Sequence, residues 1–153
     1  MSKIAIMLGG NLPDTLEKMD FAVERLQNSG FIVDNISTVF CSEAVDCVPG
    51  TPDFLDRAVI GRWNNSAEEL LRLCQSIEVE AGRPAIHSSR ESRVLDIDMI
   101  LFGDEIINLP HLTIPHPRAM QRQFVLEPLA EIAPDWKFPG GITVKEALKK
   151  LSC

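Results

Sequence analysis

The segment Arg93-Val94-Leu95-Asp96-Ile97-Asp98-Met99-Ile100-Leu101-Phe102-Gly103 constrains this chain more than any other. Its apolar and β-branched residues read as a strand running into a glycine, interrupted by two carboxylates two positions apart. Side chains alternate across a strand, so Asp96 and Asp98 share one face while Leu95, Ile97 and Met99 take the other. The aspartate face continues as Ile100 and Phe102, unlike a solvated face, which stays polar along its length. Two anions at one end of a buried face repel each other and require a cation. Such oxygen ligands suit a hard divalent ion, Mg²⁺ above all, when substrate phosphates complete the shell. An edge strand with two ordinary aspartates at its exposed end would carry the same letters, so the rest of the chain decides.

At 153 residues the chain is expected to form one domain, 1–153, with a single sizeable core. Its 45% hydrophobic and 24% charged residues are those of a soluble globular protein. The net charge of −7 leaves no basic surplus for a nucleic-acid backbone, so no nucleic-acid partner is expected. Locally the balance reverses. Gly82 to Arg93 holds three arginines and one glutamate, and Ile106 to Leu126 holds Arg118 and Arg122 and no acid. An acidic protein with two basic segments suits a small polyanion held in one place. Cys41, Cys47, Cys74 and Cys153 lack metal-ligand spacing and read as reduced thiols. Ile4 to Leu8 is too short for the core of a signal peptide, and no stretch reaches membrane-spanning length. A cytoplasmic protein with no membrane partner is the expectation.

Periodicity predicts the elements. Lys3 to Leu8 reads as a buried strand ended by Gly9-Gly10-Asn11. Asp14 with Glu17 forms a capping-box pattern before a helix whose stripe is Leu16, Met19, Val23 and Leu26, stopping at Gly30. Phe31 to Phe40 alternates, with Ile32, Ile36 and Phe40 on the side of Asp34 and Thr38, and predicts a strand. Phe54 to Trp63 predicts another. Ser66 and Glu69 cap a second helix with Leu70, Leu73, Cys74, Ile77 and Ala81 on its apolar face. The aspartate strand then leads into a short hairpin through Gly103-Asp104, and Phe124–Ile132 and Val144–Leu151 predict short helices. The order β-α-β-β-α-β with a C-terminal helical extension is that of an α+β ferredoxin-like sandwich on an antiparallel sheet. Cys41–Pro52 and Gly82–Ser92 are long for loops in such a domain, and their arginine, proline and glycine content suits active-site lids.

No phosphate-cradling glycine motif, GxxxxGK[ST] or GxGxxG, is present. Phosphate must therefore be held by metal and by arginine, whose planar fork binds phosphate oxygens in pairs. Arg83, Arg93, Arg118 and Arg122 are placed for this around the aspartate strand and the following helix. His116, fixed between Pro115 and Pro117, is a further candidate phosphate contact.

Three elements together resemble a known family. They are Arg93-x-Leu95-Asp96-Ile97-Asp98-x-Ile100-Leu101-Phe102-Gly103, Leu112-Thr113-Ile114-Pro115-His116-Pro117-Arg118, and Arg122-x-Phe124-Val125-Leu126-x-Pro128-Leu129. They are similar to those of 6-hydroxymethyl-7,8-dihydropterin pyrophosphokinase of folate biosynthesis, and the resemblance runs from Gly9-x-Asn11 to Pro134. It implies an enzyme that uses ATP and two Mg²⁺, transfers the β,γ-pyrophosphoryl unit to the pterin hydroxymethyl group, and releases AMP. The small-molecule substrates are its partners, and it acts as a monomer. By the same resemblance Asp96 and Asp98 match the metal ligands, and Arg83 and Arg93 match loop arginines that close on the triphosphate. Gln75, Glu78, Arg93, Thr113, His116 and Arg122 match ATP-binding positions. Phe54 and Phe124 match two aromatic faces that sandwich the pterin, with Asp56 and Asp96 beside it.

The chain departs from the family pattern in three places. Asp56 stands where the family usually has an asparagine that hydrogen-bonds the pterin edge. Asparagine donates and accepts, whereas an ionised aspartate only accepts, so a different tuning of pterin binding is expected. Gly10 replaces the serine of a Gly-Ser-Asn turn, and Arg90 stands where some members carry tryptophan. A non-catalytic pterin- or nucleotide-binding relative would be marked by loss of a metal ligand or loop arginine, yet Asp96, Asp98, Arg83 and Arg93 are all present. A regulatory module binding small ligands between subunits would have no need of paired carboxylates.

Overall fold

In the computed structural model, which describes residues 1–42, 53–82 and 94–151, the apolar run Ile4–Leu8 lies at the centre of a sheet. It belongs to β1 (Ser2–Gly10), paired antiparallel with β4 (Phe54–Trp63) on one side and β5 (Asp96–Phe102) on the other. A strand with neighbours on both sides and helices over both faces has no polar side to show, which explains the unbroken run. β2 (Ile32–Ile36) and β3 (Phe40–Ser42) both pair with the far side of β4. The strand order is β2-β4-β1-β5, with every pairing antiparallel. Helices α1 (Thr15–Asn28) and α2 (Ala67–Glu80) supply the crossovers, completing the ferredoxin-like β-α-β-β-α-β arrangement.

Two apolar clusters lie on opposite faces of this sheet. One joins Ile4, Ile6 and Leu8 of β1 to Met19 and Leu26 of α1 and to Leu70 and Ile77 of α2. The other joins Ala5 and Met7 to Val125, Leu126 and Leu129 of α3 (Gln123–Ile132) and to Val144 and Ala147 of α4 (Val144–Leu151). Alternation along β1 assigns its residues to the two clusters in turn. Gly61 on β4 is fixed by close approach, since a β-carbon there would lie 2.1 Å from the Ile32 carbonyl oxygen and 2.4 Å from the Phe31 ring.

Several local expectations are met and several are corrected. Ser66 caps α2, its hydroxyl accepting the Glu69 N–H at 3.1 Å. Asp14 makes no side-chain cap to α1; the buried Thr15 orders that end, and the covered stripe is Thr15, Met19, Ala22 and Leu26, with Leu16 exposed. The expected strand Phe31–Phe40 breaks at Ser37. The Ser37 N–H donates to the Ala58 carbonyl and its hydroxyl accepts the Ala58 N–H, both at 2.9 Å, so a side chain takes over the ladder position. A register shift between Val33 and Asn35 also turns Val33 and Ile36 to one core while Ile32 is left exposed.

The aspartate strand differs from expectation in one respect. Pairing with β1 shifts between Ala5 and Ile6, leaving Ile100 as an extra residue on β5. Such a bulge reverses the alternation beyond it. Ile100 and Leu101 both pack on the α3–α4 side, and Phe102 joins the opposite core rather than continuing the aspartate face. Gly103 (φ +55°) then turns the chain, its N–H donating to the Lys3 carbonyl at 2.7 Å. The hairpin expected through Gly103-Asp104 forms one step later, from β6 (Ile107–Leu109) and β7 (Leu112–Ile114).

Candidate active site

Register assembles the site. Phe40 on β3, Asp56 on β4, Gly9 on β1 and Asp96 on β5 are partners in one row across the sheet. Partners in a row share a face, so Asp56 and Asp96 stand on one side of the sheet, about 10 Å apart at the usual strand spacing, with a glycine between them. The next row on the same face is Ala58, Met7 and Asp98. Phe54 lies two residues before Asp56 on the same face, opposite Ser42. Gly9 lacks a side chain for a visible reason: a β-carbon there would stand 3.1 Å from Oδ1 of Asp56.

Asp56 is buried, 7% exposed, and the Ser42 hydroxyl donates to its Oδ2 at 3.1 Å. Burial pushes the Asp56 carboxyl up to about 6; the Ser42 hydrogen bond opposes the rise, and the negative charges of Asp98 and Asp96 add to it. The sheet face at this end thus carries a concentrated negative potential.

β5 is the sheet's edge, and a cleft of about 280 Å³ runs along it. Asp98, Met99, Thr113, His116, Leu112 and Leu71 are among its lining residues. Asp98 therefore belongs both to the row pattern of the sheet face and to this cleft. His116 follows the cis Ile114–Pro115 bond and is pinned to β5 by its N–H, which donates to the Ile100 carbonyl at 3.1 Å. Its Nδ1 accepts the Arg118 N–H in a long contact of 3.4 Å. Burial holds the His116 pKa below its ordinary value; Asp98 opposes this, and Arg122 and Arg118 reinforce it.

The remaining described candidates are carried by α2 and the start of α3. The Arg122 guanidinium lies 5.4 Å from the centre of the Phe124 ring at the start of α3, a helix that packs on the face carrying the aspartates. Glu78 on α2 reaches β5, its Oε2 accepting the Ile97 N–H at 2.8 Å. Gln75 is exposed one turn earlier on α2. Burial, with the charges of Glu78 and Asp98, pushes the Cys74 thiol up to about 12. Arg83 and Arg93 lie outside the described residues, as do most of the two expected lids. The sequence reading missed Ser42, and took Gly9 only as a strand end and the start of the family resemblance. Their places beside Asp56 arise from the pairings of β3 with β4 and β4 with β1.

The donor set fits a hard divalent cation at Asp96 and Asp98. Both are oxygen donors on one face, and both raise the affinity of Asp56 for a proton, the same demand that a cation would satisfy. Among the described residues no three His, Cys, Asp or Glu side chains converge into an all-protein metal cage. A cation held by two carboxylates completes its shell with water and substrate oxygens, the habit of Mg²⁺.

Residues 5–134 match the family described as 7,8-dihydro-6-hydroxymethylpterin-pyrophosphokinase (HPPK). The chain is 37% identical over 148 residues to a 2-amino-4-hydroxy-6-hydroxymethyldihydropteridine pyrophosphokinase of Synechocystis, covering 95% of this chain and 74% of that one. A protein of the same name from Bacillus subtilis is 38% identical over 138 residues, covering 86% and 79% of the two chains. The one from Pseudomonas aeruginosa is 32% identical over 152 residues, covering 97% and 91%. Among solved structures, Plasmodium falciparum HPPK-DHPS with pteroate superposes with a TM-score of 0.75 at 13% identity, which bears on the fold. That match covers 97% of this chain and 42% of the longer Plasmodium chain, so this chain spans about two fifths of it.

Proposed function

This chain belongs to the 7,8-dihydro-6-hydroxymethylpterin-pyrophosphokinase family, and from that premise we infer that it transfers pyrophosphate from ATP to 6-hydroxymethyl-7,8-dihydropterin, releasing AMP. It is a diphosphotransferase of folate biosynthesis, acting as one catalytic domain. The hydroxymethyl oxygen bonds to the β-phosphorus as the bond from that phosphorus to the α,β-bridging oxygen breaks. The hydroxyl proton is released, and AMP leaves with the bridging oxygen. Such a transfer asks the protein for in-line positioning and charge neutralisation more than for a covalent intermediate.

The row Asp56–Gly9–Asp96 carries this reading. Its glycine leaves the sheet bare between two strands whose backbones lie about 10 Å apart, with the Asp56 carboxyl leaning over it, a floor that suits a flat heterocycle. Asp56 reads one end of the pterin, and the hydroxymethyl group points toward Asp96 and Asp98. Phe54, on the same face, and Phe124, on the helix that packs over it, supply the ring contacts. ATP occupies the cleft along β5, where Thr113 and His116 line the wall. By the family resemblance Gln75, Glu78, Arg122, Arg83 and Arg93 supply the remaining ATP contacts. Asp96 and Asp98 would hold two Mg²⁺, which when bound neutralise phosphate charge and lower the pKa of the attacking hydroxyl. The protein works as a monomer in the cytoplasm, with no nucleic acid or membrane as partner. Cys41 and Cys74 are free thiols, and no helix among the described residues is long and apolar enough to cross a membrane.

AMP release from ATP and Mg²⁺, with and without the pterin, tests this in wild type and Asp98→Ala. Pterin-dependent AMP that falls by about 10³ or more in the variant is the expected result, given what charge stabilisation contributes to such steps. Nucleotide and pterin binding without AMP from wild type would instead identify a binding relative, the reading that Asp56 favours.

A further inference from the structure

Thr15 is completely buried, yet it is polar and sits at the first position of a helix whose cap residue makes no side-chain bond. Its hydroxyl is used twice. Oγ1 accepts the Leu12 N–H at 3.1 Å and donates to the Val94 carbonyl at 2.8 Å, across 79 residues of sequence. The Thr15 N–H also donates to the Leu12 carbonyl at 3.0 Å, closing a small turn that fixes where the hydroxyl points.

Val94 lies two residues before Asp96. The ladder between β1 and β5 ends at the pair Gly9–Asp96, and among the described residues β5 is an edge strand with no strand neighbour on its outer side. Strand pairing therefore does not hold the chain just before Asp96. Two side chains from the helices reach it: Thr15 at the Val94 carbonyl and Glu78 at the Ile97 N–H, each at 2.8 Å. Asp96 sits between the two anchors. Losing the first would leave a part-buried Val94 carbonyl and a part-buried Leu12 N–H without the fully buried hydroxyl that joins them, and the backbone would move to recover partners.

We propose that Thr15 is a positioning residue for the aspartate pair: its buried hydroxyl ties the turn leaving β1 to the Val94 carbonyl and so sets the direction in which Asp96 and Asp98 are presented. The inference rests on the pyrophosphokinase reading for its catalytic consequence, though its structural consequence stands alone. Thr15 has no role in touching substrate. Metal sites tolerate little error in ligand placement, and supporting contacts of this kind commonly change metal affinity by about 10- to 100-fold when removed.

Thr15→Val removes the hydroxyl while keeping the branched volume, and Thr15→Ser keeps the hydroxyl while losing the methyl group. The first readout is amide hydrogen exchange in the metal-free protein. Exchange at Leu95, Asp96 and Ile97 should quicken by about tenfold or more in Thr15→Val, while the amides of α3 and α4 remain as in wild type. The second is binding of Mn²⁺ in the presence of a non-hydrolysable ATP analogue, followed by electron paramagnetic resonance. The third is the Mg²⁺ concentration giving half-maximal AMP release. Both metal constants should weaken by about 10-fold in Thr15→Val and recover in Thr15→Ser, with the pterin KM changed little. Metal constants that stay at wild-type values while thermal stability falls would make Thr15 merely structural and overturn the proposal. So would a Thr15→Ser protein as impaired as Thr15→Val. If Thr15→Val does not fold, Thr15→Ala carries the same three measurements, and the Thr15→Ser result decides alone if both fail: a tenfold loss of metal affinity there refutes the role of the hydroxyl, and wild-type affinity supports it. Absence of pterin-dependent AMP from wild type would refute the pyrophosphokinase reading instead, and would leave the exchange result to judge the anchor.

Discussion

A β-carbon on Gly9 would lie 3.1 Å from Oδ1 of Asp56, a contact tight enough that the carboxyl would have to give way. The Leu55 carbonyl oxygen, at 3.5 Å from the same point, blocks retreat along the strand. Gly9→Ala should displace the Asp56 carboxyl from the floor of the row and cost about 1–2 kcal/mol of stability. Pterin affinity should weaken by about tenfold, the equivalent of 1.4 kcal/mol. Calorimetric titration with pterin and urea unfolding measure the two effects. An unchanged pterin Kd would remove Gly9 and Asp56 from the binding site.

The Cys74 thiol, pushed up to about 12 by burial, stands in contrast to the exposed Cys41. Thiolate is the reactive form, and at pH 8 a group titrating near 12 is ionised about once in 10⁴. Iodoacetamide at pH 8 should alkylate Cys41 in the native protein and spare Cys74 until denaturant is added. Peptide mass spectrometry reads the two sites separately. Labelling of Cys74 at a rate comparable to Cys41 would show that α2 opens readily above the β5 edge.

The legible parts of this fold are those whose letters reflect their own environment. β4 alternates between two buried faces and reads as a strand from Phe54 to Trp63; α2 declares its start through Ser66 and Glu69. Asp96 and Asp98 were legible as a pair because alternation alone places them together. What escaped the sequence depends on a partner strand. The bulge at Ile100 comes from the register against Ala5 and Ile6, and it sends Phe102 to the opposite core. The break at Ser37 depends on the Ala58 backbone, and the α1 stripe is set by Thr15 reaching Val94. Ser42 and Gly9 enter the site only because β3 and β1 bracket β4 at Asp56.

His116 should be neutral at pH 7. Burial lowers its pKa, and the Arg118 N–H approaching Nδ1 leaves the proton on Nε2, where it can donate to a phosphate oxygen. The native state then binds fewer protons here than the unfolded chain. This contribution to stability is complete above pH 6.5 and is lost as the pH falls. Two-dimensional ¹⁵N–¹H spectra of the imidazole should show the Nε2–H tautomer and a midpoint below 6.5. Arg118→Ala, by removing a cation, should raise that midpoint, and Asp98→Ala, by removing an anion, should lower it. Shifts of the opposite sign would mean that His116 does not face both groups.

Asp56→Asn should make the protein more stable at neutral pH and alter its affinity for pterin. The Asp56 carboxyl titrates near 6 in the folded protein against 3.8 ordinarily, so between these values the native state holds a proton that the unfolded chain has lost. Stability from this group is present below about pH 4 and declines as the pH rises to about 6, by up to about 3 kcal/mol at 1.36 kcal/mol per pKa unit. Asparagine is neutral throughout and keeps an acceptor for the Ser42 hydroxyl. Urea unfolding of the metal-free proteins should find the variant more stable at pH 7.5 and the two nearly equal at pH 4. The same substitution replaces an acceptor-only group with one that also donates, which should shift pterin Kd by about tenfold, in the range of one hydrogen bond to a charged group. Equal stability at both pH values, with the same pterin Kd, would mean that Asp56 is neither strained by its neighbours nor in contact with the substrate.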